Sequence, residues 1–116
     1  MITLYGIPNC GTVKKARVWL TEQQRDYTFH DFKKQGIDAA HLERWASALG
    51  LDKLINRQGT TWRKLSDEDK ACASTLAGAL ALMQAQPSVI KRPVVEYADQ
   101  ILVGFNEASW TEVFGQ

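Results

Sequence analysis

The sequence contains little cysteine: Cys10 and Cys72 are the only two in 116 residues. They lie far apart, and no CxxC pair occurs in the chain. Two thiols do not make the disulfide framework that holds small secreted domains together. The start "MITLYGIPNC" also lacks a basic segment followed by an apolar stretch, so no secretory signal is predicted. We therefore expect a reducing, cytoplasmic setting for this chain.

Long hydrophobic runs and an excess of one charge are also missing. No apolar run approaches the roughly 20 residues that span a bilayer, so no membrane partner is expected. The 14 basic and 13 acidic residues leave a net charge of +1, which does not favour nucleic-acid binding. The two histidines, His30 and His41, have no metal-ligand spacing with the cysteines, so neither a metal site nor a bound cofactor is expected.

What is present is the composition of a globular α/β domain. Apolar residues make up 45% of the chain and charged residues 23%, which suits a single domain with its own core. Residues 2–6 predict a strand, residues from Gly11 to about Gln24 a helix, and residues 26–32 a second strand. A strand–helix–strand crossover of this length pairs its strands in parallel.

The middle of the chain predicts a block of short helices at about 36–87. Asp38 and Ser66 are predicted helix N-caps, with the acidic residues that follow Ser66 favoured in a first turn, while a further helix is expected to start at Thr75 and to end at Pro87. Residues 93–105 then predict a β-hairpin, and a final helix follows. The predicted order is therefore βαβ, a helical insertion, and ββα within a single domain.

Within the first helix, Val13, Ala16, Leu20 and Gln23 are expected to lie on one face, with Trp19 beside it. Cys72 lies inside "DKACASTL" on a helix of the insertion, without a nearby proline or basic partner. We interpret Cys72 as structural, since a resolving role would require it to approach Cys10.

Cys10 follows the first strand and directly precedes the first helix. Unpaired N–H groups and the positive end of the helix dipole favour the thiolate there, and the thiolate is the reactive form of cysteine. Gly11 allows close backbone approach, and Thr12 offers a hydroxyl. Lys14 and Lys15 add positive potential. The residues alone leave two interpretations open, a working nucleophile or a small buried apolar side chain.

Four stretches together resemble the arsenate reductase-like (ArsC/Spx) family, and most of all its small YffB-type branch. They are "LYGIPNCGTVKKARVWL", "NRQGTTWRKL", "MQAQPSVIKRPVV" and "LVGFNEASW", and they occur in the family's order. The resemblance implies a thioredoxin-like, glutaredoxin-related mixed sheet with a helical insertion over residues 1–116. It also implies a cis peptide bond between Arg92 and Pro93.

The resemblance further implies roles for individual residues. Cys10 matches the nucleophile, and Arg57 and Arg92 match two arginines that hold an oxyanion. Guanidinium groups suit that role because they are permanently charged and donate paired hydrogen bonds. The predicted catalytic residues are Cys10 and Arg92. The predicted substrate-binding residues are Gly11, Thr12, Lys14, Arg57 and Pro93.

Three departures from the pattern of the arsenate-reducing members are visible. Gly6 stands where they have a histidine, Val13 stands where they have a serine, and "LVGF" lacks their third arginine. Arsenate is therefore a poor substrate prediction. Val13 also occupies the position of the second cysteine of the CxxC switch found in Spx regulators, so that switch cannot form.

We therefore predict a monomeric cytoplasmic thiol oxidoreductase with Cys10 as its sole nucleophile. Glutathione is the expected co-substrate, forming a mixed disulfide with Cys10, and glutaredoxin is a further candidate partner. One alternative is an Spx-like regulator that binds the RNA polymerase α-subunit, which the lost reductase groups and the regulators' glycine at Gly104 favour. A third hypothesis is that the protein reduces arsenate.

Overall fold

The computed structural model describes residues 2–114, which form a mixed α/β structure with a four-stranded sheet in the order β2-β1-β3-β4. β1 pairs in parallel with β2 and antiparallel with β3, and β3 pairs antiparallel with β4. The strands are β1 (Ile2–Gly6), β2 (Tyr27–Asp31), β3 (Val94–Tyr97) and β4 (Gln100–Val103). This topology confirms the predicted βαβ and ββα halves of a thioredoxin-like fold.

The helices follow the predicted order. They are α1 (Gly11–Glu22), α2 (Phe32–Gln35), α3 (Ala39–Leu49), α4 (Leu51–Leu54), α5 (Thr60–Arg63), α6 (Asp67–Cys72), α7 (Leu76–Ala85) and α8 (Glu107–Phe114), with a 3₁₀ turn at Pro87–Val89. α1 ends two residues before the expected Gln24, which instead adopts a positive φ of 57°. No helix among the described residues is long and apolar enough to cross a membrane.

The chain divides into two compact units. The sheet unit combines the chain up to Asp31 with the chain from Arg92 onward, and the helical unit is Phe32–Lys91. The predicted insertion at about 36–87 falls inside the helical unit. That both units belong to a single thioredoxin-like domain stays a prediction.

The core of the sheet unit lies between the sheet, α1 and α8. Its aromatic centre is Trp19, whose ring centroid lies 5.8 Å from that of Trp110, and Trp110 in turn lies 5.6 Å from Phe114. Gln23, expected on the same face, is exposed, and Trp19 completes the buried face of α1. The buried cluster is Ile2, Leu4, Val13, Ala16, Trp19, Leu20, Val95, Trp110 and Phe114.

The predicted N-caps Asp38 and Ser66 are confirmed, and Thr75, where a helix was expected to start, is the N-cap of α7. The side chain of Asp38 accepts a hydrogen bond from the N–H of His41 at 2.8 Å. Ser66 and Thr75 accept corresponding bonds, each at 3.1 Å, three residues into α6 and α7. Side-chain oxygens at these positions satisfy N–H groups that a helix cannot pair internally, and they fix where each short helix begins.

Candidate functional site

Cys10 is the N-cap of α1, in the loop that leaves β1. Its backbone is extended, with φ −87° and ψ 127°. Its carbonyl accepts a hydrogen bond from Lys14 N–H at 3.0 Å, while its own N–H donates to the carbonyl of Ile7 at 3.2 Å. The residue is half-buried. Both bonds fix the backbone on either side of the thiol, and the sulfur stands at the positive end of the helix.

The surroundings of Cys10 favour its thiolate. Burial by itself raises the pKa of the thiol, because it removes water from the charged form. The Val13 N–H, the Arg92 side chain and the Thr12 N–H each lower the pKa as donors toward the sulfur, and together with the positive charge of Arg92 they outweigh burial. The pKa of Cys10 is therefore held below its ordinary value.

Arg92 is held next to this sulfur by the chain entering β3. The Arg92–Pro93 peptide bond is cis, as the resemblance implies. Pro93 is buried, and its carbonyl accepts a hydrogen bond from Gly104 N–H at 2.8 Å, just beyond β4. Arg92 itself is half-buried, with Nε shielded from solvent.

Gly6 and Val13 are in direct contact beneath the cysteine. Both are buried, and a Cβ atom added at Gly6 would lie 2.8 Å from Cγ2 of Val13. Such a distance is shorter than side chains tolerate, so residue 6 has no room for a side chain while Val13 is present. The two departures from the arsenate-reducing pattern are therefore coupled in space. An apolar contact replaces two polar side chains.

The other predicted residues of the first turn face solvent. Gly11, Thr12 and Lys14 are exposed, and a Cβ at Gly11 would meet nothing within 4 Å. Neither Lys14 nor Lys15 forms an ion pair with any residue between 2 and 114. Their charges are thus available to an anion that approaches the amino-terminal end of α1.

Arg57 belongs to the helical unit, where it has other partners. Its Nη1 donates to Oδ1 of Asp52 at 2.7 Å, and its guanidinium lies 5.5 Å from the ring centroid of Trp62. Both contacts stabilise the positive charge of Arg57 within the helical unit. The anion-holding role of Arg57 stays a prediction.

The second cysteine lies in the helical unit. Cys72 is the last residue of α6 and is exposed, and its interpretation as structural, without a resolving role, stays a prediction. No group of three or more histidine, cysteine, aspartate or glutamate side chains in the described part of the chain could hold a metal ion.

The sequence reasoning missed the part that Val13 plays at the sulfur. Val13 stands three residues after the N-cap, where the backbone N–H of a helix points back at the capping side chain. Its side chain fills the core while its N–H serves the thiolate. The sequence did carry a signal for this role, because Val13 is the third helical residue after the N-cap Cys10.

Comparisons with known proteins agree with this architecture. The family model described as "ArsC family" matches residues 5–113. A solved structure titled YFFB (PA3664) protein is 48% identical, covers 97% of each chain, and superposes with a TM-score of 0.92. An uncharacterized protein of Haemophilus influenzae is 38% identical over 98% of this chain and 99% of its own length. The chain belongs to the ArsC family.

The chain is also similar to a protein described as a regulator. The global transcriptional regulator Spx of Streptococcus pneumoniae is 29% identical over 92% of this chain and 80% of its own length. This chain is thus similar to a protein described as a transcriptional regulator, and its own residues have to distinguish a regulatory role from an enzymatic one.

Proposed function

We propose that the protein is a glutathione-dependent thiol oxidoreductase that works through a single nucleophilic cysteine. The observation that carries the proposal is the position of Cys10, whose pKa is lowered by N–H donors at the start of α1 and by Arg92. A thiolate held in this way attacks disulfide sulfurs.

The proposed cycle needs only glutathione as a co-reactant. The Cys10 thiolate attacks the glutathione sulfur of a mixed disulfide, the old S–S bond breaks, and the other sulfur leaves as a thiolate that takes a proton from water. A glutathione thiolate then attacks the Cys10-bound glutathione, which releases the Cys10 thiolate and glutathione disulfide. Because this cycle consumes reduced glutathione, we place it in the cytoplasm.

The side chains around Cys10 have separate parts in this proposal. Arg92 holds the thiolate, and it stabilises the charge again when Cys10 leaves. Lys14 receives a glutathione carboxylate, and the backbone at Gly11, Thr12 and Pro93 borders the bound tripeptide. The Gly6–Val13 contact leaves no polar side chain there for arsenate, so arsenate is not the proposed substrate.

Mass spectrometry tests the proposal directly. The purified protein is exposed to glutathione disulfide, digested, and searched for a glutathione adduct. We expect the adduct on Cys10, with the exposed Cys72 as an internal reference, and no turnover of a small mixed disulfide by Cys10→Ser. Equal labelling of both cysteines, or an alkylation profile of Cys10 with the free-thiol pKa of about 8.5, would overturn it.

A second candidate is a regulatory role, which the 29% identity to Spx favours. In this reading the protein binds the C-terminal domain of the RNA polymerase α-subunit. A titration with that purified domain distinguishes the two candidates, because a saturable complex that forms equally well with Cys10→Ser supports regulation. Absence of binding at micromolar concentrations removes this candidate.

A further inference from the structure

The exposed face of α1 carries a ridge of three residues that begins at the reactive cysteine. Lys14, Val18 and Glu22 follow Cys10 at successive intervals of four residues, so they lie on one side of the helix. With a rise of 1.5 Å per residue, they stand about 6, 12 and 18 Å from the cap along the axis. The order along the ridge is cation, apolar side chain, anion.

Val18 is unusual for a surface residue. Its side chain is 55% exposed, although most large apolar side chains of the sheet unit are buried. A single exposed valine needs no explanation, but this one lies between two depressions in the surface. The ridge residues Lys14, Val18 and Glu22 line both of them.

The larger depression is a groove of about 870 Å³ between α1 and the start of α8. It reaches Thr12, which is beside Cys10, and continues past Lys15 to Trp19 and Phe105. Asn106 and Glu107 form its polar wall. The smaller depression, of about 490 Å³, borders Arg17 and Tyr27 on the other side of the ridge. Together they leave the ridge open along its whole length.

We propose that this ridge and its two grooves bind a polypeptide substrate whose cysteine carries glutathione, so that the protein removes glutathione from protein thiols. The inference rests on the proposed function, and it adds the substrate class. The occupant is a peptide segment with an acidic residue near its cysteine, an apolar residue further on, and a basic residue beyond that.

Charge and size favour this occupant. Lys14 and Lys15 have no ion-pair partner between residues 2 and 114, so one of them can attract an acidic residue next to the reacting cysteine while the other receives the glutathione carboxylate. Val18 offers apolar area, and Glu22 attracts a base. Glutathione is a tripeptide, too short to reach from Cys10 to Glu22, since an extended chain spans about 3.3 Å per residue. A longer chain contacts the whole ridge.

The reaction is the exchange already described, with the peptide as the leaving group. The Cys10 thiolate attacks the glutathione sulfur, the peptide–glutathione S–S bond breaks, and the peptide thiolate takes a proton from water. A second glutathione restores the Cys10 thiolate and leaves as glutathione disulfide. Sulfur, electrons and protons balance without any further oxidant or reductant.

Synthetic peptides test the proposal with the full chain. One peptide carries a glutathionylated cysteine, glutamate two residues away, leucine four away and lysine six away, and it is made in both chain directions. A charge-swapped peptide exchanges the glutamate and the lysine. A truncated peptide ends after the second residue. We expect kcat/KM for the first peptide, in one direction, to exceed that for the swapped peptide about tenfold, or 1.4 kcal/mol.

Two variants locate the effect on the ridge. Val18→Asp should lower kcat/KM for the full peptide several-fold and leave the truncated peptide unchanged. Glu22→Lys should invert the preference at the sixth residue, so that an acid there becomes favourable. Lys34→Glu, a charge reversal at an exposed residue of α2, is the matched control and should alter neither ratio.

The outcomes separate the two proposals. Turnover of the truncated peptide with no discrimination among the longer ones overturns the ridge assignment and keeps the thiol oxidoreductase. Failure of every peptide and of small mixed disulfides overturns the proposed function itself. Self-association in sedimentation experiments that Val18→Asp abolishes would assign the ridge to a second copy of the chain, and would also overturn the peptide proposal.

Discussion

At the scale of single residues, Cys10 depends on donors from two separated parts of the chain. The N–H groups of Thr12 and Val13 come from its own helix, and Arg92 comes from the entrance to β3. A helix amino terminus alone favours a thiolate, and the guanidinium adds both a hydrogen bond and a full charge. The two contributions can be separated by substitution.

Replacement of Arg92 should raise the pKa of Cys10. Arg92→Gln removes the charge and alters the hydrogen bond, whereas Arg92→Lys keeps the charge and loses the planar donor. We expect the pKa to rise in both variants, and more in Arg92→Gln. The ultraviolet absorbance of the thiolate as a function of pH measures this, with Cys72→Ser as background. An unchanged titration in Arg92→Gln would show that the helix alone sets the pKa.

The contact of Gly6 with Val13 predicts coupled stability. Gly6→Ala places a Cβ 2.8 Å from Cγ2 of Val13 and should cost about 1–3 kcal/mol of unfolding free energy. In the double variant with Val13→Ala, the added methyl group enters the space that the valine leaves. The stability losses of the two single variants, added together, should therefore exceed the loss of the double variant. The difference should be at least about 0.5 kcal/mol, which is roughly the smallest coupling energy seen between residues in contact.

Urea denaturation of the four proteins in this cycle measures the coupling. Gly11→Ala is the matched control, because a Cβ there meets nothing within 4 Å and alanine favours the helix. It should be neutral or stabilising. Strict additivity of Gly6→Ala and Val13→Ala would contradict the contact.

At the scale of elements, the loop after β4 supports Arg92 from a distance. Gly104 has a φ of +75°, which side chains other than glycine and asparagine rarely adopt, and its N–H bonds to the carbonyl of Pro93. The glycine in "LVGF" thus has a backbone reason that is independent of any partner. An arginine at residue 104 would have to adopt the same strained conformation.

Gly104→Ala should therefore cost about 1–2 kcal/mol of unfolding free energy. Gly104→Asn should cost less, because asparagine tolerates the left-handed region. Urea unfolding measures both, and the pKa of Cys10 in the same variants reports whether Pro93 and Arg92 have shifted. Equal losses for alanine and asparagine would argue against backbone strain as the cause.

At the scale of the whole molecule, the lowered pKa of Cys10 links stability to pH. The folded chain loses the thiol proton at a lower pH than the unfolded chain, whose cysteine titrates near 8.5. Between those two values the unfolded state holds the extra proton, so stability rises with pH. The contribution is complete above about 8.5 and is lost as pH falls through the folded pKa.

Unfolding free energies across this range should therefore rise for the natural chain relative to Cys10→Ser. Cys72→Ser should follow the natural chain, since it keeps Cys10 and its donors. If the unfolding free energies of the natural chain and of Cys10→Ser changed in parallel with pH, that result would contradict a thiolate stabilised by folding. Urea titrations at closely spaced pH values provide the measurement.

Local signals in the sequence were sufficient for most of the elements. The strand at residues 2–6, the caps at Asp38 and Ser66, the helix start at Thr75 and the hairpin after Pro93 were predicted because each depends on neighbouring residues. The same holds for Cys10 at the start of a helix. The exposure of Gln23 was not predicted, because helical periodicity alone does not show where α1 leaves the sheet.

Tertiary structure alone decided which donors meet at the sulfur and which side chains exclude one another. The contact of Arg92 with Cys10 joins residues 82 positions apart in the chain, and only folding brings them together. The coupling of Gly6 to Val13, the exposure of Cys72 and the grooves beside Val18 likewise arise from packing. Short-range chemistry determined where Cys10 stands, at the start of a helix, and long-range packing determined which other groups surround its sulfur.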